Sequence, residues 1–174
     1  MQRVILIGFM GCGKTTLGKK IARQLNIPFI DSDIEIERLN QLSVGEIFGQ
    51  FGESGFRKME TDFISSLDER GDFVLATGGG MPCVGRNMEL LNELGVTYYL
   101  DRPAKELVHR LQNAKVKRPL LEGIVGNELL EFVELKLTQR DEYYKQSQVI
   151  LCREDQNSAD VIRINGLLHP HQRN

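Results

Sequence analysis

Gly8, Gly13, Lys14 and Thr15 complete the pattern G-x-x-x-x-G-K-T, with an apolar run before the first glycine and a helix-periodic run after Thr15. A loop of this kind turns consecutive backbone N–H groups inward. Together with the N-terminus of the next helix, they cradle phosphate oxygens. The Lys14 ammonium can then reach β and γ phosphates, and the Thr15 hydroxyl can ligate magnesium. A glycine turn matching by accident would lack the flanking strand and helix that this mechanism requires.

Four further groups could do chemistry. Asp31 and Asp33 stand two apart at the end of a short apolar run, where open α/β folds place ligands. Asp31 can bind magnesium through water, and Asp33 can orient or deprotonate a hydroxyl acceptor. A solvated turn with Asp33 capping the next helix fits the same residues. Arg57 and Glu60 are three apart and can pair across a helical turn, although such spacing ordinarily gives a surface pair. Gly78, Gly79 and Gly80 clear every side chain from the end of another apolar run, which lets backbone N–H groups meet an anion. Lys115, Lys117 and Arg118 then face a single Glu122 in the segment 113–123. That segment reads as a lid whose cations meet phosphates on closure, or as a solvated loop. His109, His169 and His171 make no metal triad or nucleophile pair.

Periodicity supplies the elements that must hold these groups. Val4 to Ile7 is a strand buried on both faces, and Leu17, Ile21 and Leu25 give the following helix an apolar stripe. Phe29 to Ile30 is a short strand. From Ile34 to Asp68 the pattern is helical, with a capping box at Ser43 and Glu46. Gly49, Gly52 and Gly55 divide it into several short helices, and Phe56, Met59, Phe63 and Leu67 form one face of the last. Phe73 to Ala76 and Val96 to Leu100 are strands, with a helix at Asn87 to Leu94 between them. Asp101 or Arg102 caps the next helix, whose first turn holds Pro103. Asn127 to Tyr144 is a long helix with Leu130, Val133 and Leu137 inward, and Val149 to Cys152 is the last core strand. Ser158 opens a final helix to Leu168, although Val161, Ile162 and Ile164 also permit a strand. The last residues fray.

A chain of 174 residues with net charge -2 fits one domain with a sizeable core and carries no basic face for nucleic acid. A small-molecule partner is expected. The start, MQRVILIGF, leaves no room for a signal peptide, and no run of 18 apolar residues offers a membrane span. Cys12, Cys83 and Cys152 are odd in number and far apart, which suits a reducing compartment. The expected location is the cytoplasm.

The loop GFMGCGKTTLG, the strand end FIDSD, the segment FGESGFRKME, the triplet ATGGG, the segment RLQNAKVKRPLL and the helix segment RDEYY occur in this order. On these six motifs the chain, from Arg3 to about Leu168, resembles the shikimate kinases. The resemblance implies a three-layer α/β fold of the P-loop, nucleoside-monophosphate-kinase-like type, with a central five-stranded parallel sheet. It also implies a single kinase domain over 1–174, with an acceptor-binding insertion at about 33–62 and a lid at about 112–125. The implied reaction moves the γ-phosphoryl of ATP to the 3-hydroxyl of shikimate, in a monomer that uses Mg2+.

By the same resemblance Gly11, Cys12, Gly13, Lys14, Thr15, Thr16, Arg110 and Arg118 bind the nucleotide, with Arg110 packed on the adenine. Thr15 and Asp31 serve the metal. Lys14, Asp33 and Arg118 act in catalysis, with Asp33 as candidate base. Arg57, Arg140 and the backbone of Gly78, Gly79 and Gly80 hold the acceptor beside Asp33, and Phe48 and Phe56 wall its ring. Separated guanidinium forks suit a planar carboxylate. The sequence departs from the family's commonest form at Cys12, often serine or alanine, at Thr16, and at Glu142, where proline is common.

A kinase of another small hydroxy acid such as gluconate shares the loop and lid. Asp33, Arg57, the glycine triplet and Arg140 favour shikimate. A nucleotide-dependent switch is disfavoured, because Asp68 to Gly71 matches D-x-x-G only at a helix end and no N-K-x-D follows.

Overall fold

The structure, a computed structural model, describes residues 2–114, 121, 123–124 and 126–168. Strands β1 (Arg3–Ile7), β2 (Phe29–Asp31), β3 (Phe73–Ala76), β4 (Val96–Leu100) and β5 (Val149–Leu151) form one parallel sheet in the order β2-β3-β1-β4-β5. Helices α1 (Lys14–Leu25), α2 (Ser32–Asn40), α3 (Val44–Ser66), α4 (Asn87–Leu94), α5 (Ala104–Gln112), α6 (Gly126–Tyr144) and α7 (Ser158–Leu168) connect and cover it.

Every residue of β1, β3 and β4 is buried, as expected of parallel strands covered on both faces. Because side chains alternate along a strand, β1 feeds two cores. Val4 and Leu6 pack with Leu17, Ile21, Leu107, Val133 and Val161. Ile5 and Ile7 pack with Ile47, Phe56, Phe63, Leu91 and Tyr144. In register, Val4 pairs with Val74 on one side and Val96 on the other. After β1 the chain builds β2 and β3 on one side of it and then β4 and β5 on the other, so the crevice at the carboxyl end of β1 is a topological switch point. The phosphate loop lies there.

The structure corrects several local expectations. Of Gly49, Gly52 and Gly55 only Gly52, at φ 67 and ψ -179, leaves the helical conformation, so α3 is two segments rather than several. Gly55 stays helical because its bare face lies against Phe51, whose Cβ would be 2.5 Å from an added Cβ. Neither Asp101 nor Arg102 caps α5. Pro103 is the N-cap without a side-chain bond, and Arg102 turns back to the phosphate loop, donating to the Cys12 carbonyl at 2.8 Å. In α6 the fully buried leucine is Leu129 rather than Leu130. The last element is a helix. No helix among the described residues is long and apolar enough to cross a membrane.

Candidate active site

The loop between β1 and α1 closes on its own lysine. Gly13, at φ 111, caps α1 in a left-handed conformation that glycine adopts without steric cost. Lys14 Nζ, 8% exposed, donates to the carbonyls of Gly8 at 2.7 Å and Phe9 at 2.9 Å. These bonds hold the ammonium at the loop's centre. The Cys12 thiol is buried beside it, 3.6 Å from Nζ.

Thr15, in the first turn of α1, donates its hydroxyl to Asp31 Oδ2 at 3.0 Å. Asp31 ends β2, so two hard oxygen donors meet at the strand end. A hydroxyl and one carboxylate are the sparse protein set that magnesium accepts when phosphate and water supply the rest. No group of three His, Cys, Asp or Glu side chains able to hold a metal occurs among the described residues. Asp31 and Asp33 line a cavity of about 340 Å³ with Gly11, Gly13, Lys14, Thr15, Thr16, Gly78 and Gly79. Both carboxylates therefore face the phosphate loop across one space.

The glycine triplet makes room for charged side chains. A Cβ at Gly78 would collide with Asp33 Oδ1 and come within 3.2 Å of Glu60 Oε1. At Gly79 it would lie 3.4 Å from Arg140 Nη1, and at Gly80 it would lie 2.7 Å from both terminal nitrogens of Arg57. Asp33 from α2, Arg57 and Glu60 from α3, and Arg140 from α6 thus converge on three bare backbone positions. The Gly78 N–H does not wait for an anion, as its residue type suggested. It donates to Ser32 Oγ at 2.7 Å.

Glu60 is 1% exposed, so its pair with Arg57 at 2.7 Å is not the surface pair that its spacing ordinarily implies. Burial raises the Glu60 carboxyl to about 7, against the opposing pull of Arg57, while Asp33 pushes it further up and Arg140 lowers it. Its Oε1 has no hydrogen-bond partner among the described residues. Arg57 is held more firmly protonated than usual: burial works against its charge, but Glu60 and Glu53 outweigh it. Arg140 donates to the Gly79 carbonyl at 3.2 Å and lies over the Phe9 ring at 5.4 Å. Phe48 and Phe56 stack at 4.9 Å beside Arg57.

On the far side of the loop a second cavity, of about 300 Å³, is lined by Cys12, Gly13, Thr16, Arg102, Arg110 and Gln156 among others. Arg110 pairs with Glu106 at 3.1 Å, and Arg102 also pairs with Glu106. Arg118, with Lys115 and Lys117, lies outside the described residues, as do His169, His171 and the tail.

Three contributors escaped the sequence reading. Ser32, between the two aspartates, is fully buried and ties β2 to the triplet. Tyr144 donates to the Gly79 carbonyl at 2.6 Å, and Arg102 braces the loop. Only the position of Ser32 inside D-S-D hinted at a role. Tyr144 and Arg102 carry no local signal, because their partners are 65 and 90 residues away.

Comparison with known proteins gives one family. A family model described as shikimate kinase matches residues 10–165. A shikimate kinase of Bacteroides fragilis is 43% identical, with 98% of each chain covered. The crystal structure of a shikimate kinase from Bacteroides thetaiotaomicron superposes with a TM-score of 0.89 at 41% identity, covering 97% of this chain and 98% of that one. One from Acinetobacter baumannii in complex with shikimate gives 0.82 at 34% identity, covering 100% and 96%. A gluconokinase from Sinorhizobium meliloti, 14% identical with a TM-score of 0.62, shares the fold alone.

Proposed function

The chain belongs to the shikimate kinase family, and on that premise we propose that it transfers the γ-phosphoryl of ATP to the 3-hydroxyl of shikimate, giving shikimate 3-phosphate and ADP. The observation that carries the reading is the convergence of Arg57 and Arg140 on the glycine triplet beside Asp33. Two guanidinium groups from separate helices match an acceptor that bears one planar carboxylate. Anchoring the carboxylate at one end sets the hydroxyls at the other, toward Asp33 and the phosphate loop.

In this reading Asp33 accepts the proton of the attacking hydroxyl or orients it for attack. Lys14, with Gly11, Cys12, Gly13 and Thr16 around the phosphates, offsets charge on the transferring group. Arg110 packs against the nucleobase from the second cavity, and Phe48 and Phe56 exclude water beside the acceptor ring. Thr15 and Asp31 would hold Mg2+, which supplies charge neutralisation at the β and γ phosphates. Arg118 is assigned to the phosphates from the lid, about 112–125. The same proposal covers a single kinase domain over 1–174, with its acceptor segment at about 33–62, working as a monomer in the cytoplasm.

The test is ADP formation from ATP and magnesium with shikimate, gluconate or nucleoside monophosphates as acceptor. Turnover with shikimate alone is expected. Turnover with gluconate and none with shikimate would leave the phosphate loop standing and refute the acceptor assignment.

A further inference from the structure

The Arg57 guanidinium is held on nearly every side. One face lies on Gly80, where an added Cβ would be 2.7 Å from Nη1 and Nη2 and 2.9 Å from Cζ. Phe56 also lies beside it, with Cζ 5.6 Å from the ring centre. Nη1 donates to the buried Glu60 at 2.7 Å. Among the guanidinium's other donors, Nε and Nη2 form a fork of the kind that binds a carboxylate with two parallel hydrogen bonds. Both of its nitrogens donate to a single oxygen, Glu53 Oε1, at 3.3 and 3.1 Å.

Glu53 differs from Glu60 in every respect that would make it a permanent partner. Its side chain is 70% exposed, against 1% for Glu60. An exposed pair at i and i+4 contributes little and is readily exchanged. Glu53 also follows the break at Gly52 directly, so it opens the second segment of α3. There a carboxylate released from Arg57 still faces the positive end of the helix.

With Arg57 read as the anchor of the acceptor's carboxylate, as proposed above, we infer that this carboxylate takes the Nε and Nη2 fork that Glu53 occupies, and that the two compete for it. Glu53 then sets acceptor affinity: the acceptor displaces an exposed internal carboxylate, while Glu60 keeps the guanidinium in place throughout. The competition discriminates by chemistry, since only acceptors with a carboxylate contest the fork.

Calorimetric titration tests this with shikimate and with its analogue lacking the carboxylate, against the full chain and the variants Glu53→Gln, Arg57→Lys and the two combined. Glu53 is exposed, so Glu53→Gln is expected to fold normally. It should tighten shikimate binding about threefold to tenfold, the size expected from losing an exposed ion pair and one nearby like charge. Nucleotide binding and binding of the analogue should not change. Arg57→Lys should weaken shikimate binding, and adding Glu53→Gln to it should recover nothing. Weakened binding in Arg57→Lys beside unchanged or weaker binding in Glu53→Gln would overturn the competition alone. Unchanged binding in Arg57→Lys would overturn the anchor reading and the competition with it.

Discussion

Replacing Glu60 by glutamine should change how stability depends on pH. Two effects oppose each other at this carboxyl. Burial favours the neutral form and Arg57 favours the charged one, and burial prevails, with no donor to Oε1 among the described residues. The folded carboxyl therefore titrates at about 7 against an ordinary 4.5. The folded chain binds more protons than the unfolded chain across that window, so stability falls as pH rises through it. The contribution is full below the ordinary value and lost above the folded one. At about 1.4 kcal/mol for each pH unit separating the two values, the whole loss is about 3.5 kcal/mol. The glutamine of Glu60→Gln imitates the protonated form and cannot ionise, so this part of the pH dependence disappears in the variant. Urea unfolding of both proteins at pH 5, 6, 7 and 8 reads the difference. The wild type should lose about 2.5 kcal/mol relative to the variant between the ends of that range, since part of the contribution has already gone at pH 5. A gap that stays constant with pH would refute the argument, because an ionised Glu60 throughout would mean that Arg57, not burial, governs it.

Two further outcomes separate shape from charge. Gly80→Ala should raise the shikimate KM roughly tenfold or more and leave the nucleotide KM near its starting value, since the new Cβ takes the place of the Arg57 guanidinium and overpacking costs about 1–3 kcal/mol; steady-state kinetics with each substrate varied decides it, and an unchanged shikimate KM would contradict the packing argument. Asp33→Asn should abolish most phosphoryl transfer while nucleotide binding, followed by titration with ATP, stays nearly intact, and near-normal turnover would remove Asp33 from the mechanism.

The parts of the fold legible in the sequence were those with a strong local pattern. The apolar runs of β1, β3 and β4 had no alternative to full burial, and the phosphate loop is defined by backbone geometry that its glycines encode. Asp31 and the triplet were legible as places, but what they do there was only partly so. Three glycines suggested backbone donors, whereas the structure uses the bareness of Gly78 and Gly80 to seat Asp33, Glu60 and Arg57. Local spacing brings Arg57 and Glu60 together but cannot say which of them faces the core. In α6 charged residues are spread around the helix, so the choice between Leu129 and Leu130 depended on partners far along the chain. The roles of Ser32, Tyr144 and Arg102 depend on contacts 46, 65 and 90 residues apart, which no local pattern contains.

The bare triplet also constrains how such a site can arise. An arginine placed at position 57 over any residue larger than glycine at position 80 meets a side chain 2.7 Å away. An aspartate at position 33 meets the same obstacle at position 78. A phosphate-loop kinase with ordinary side chains at that strand end would therefore gain nothing from acquiring the charged residues singly. The vacancy has to precede the occupant. Grafting this acceptor site onto a related scaffold should accordingly begin with glycine at positions 78 and 80, and only then introduce the arginines and the aspartate.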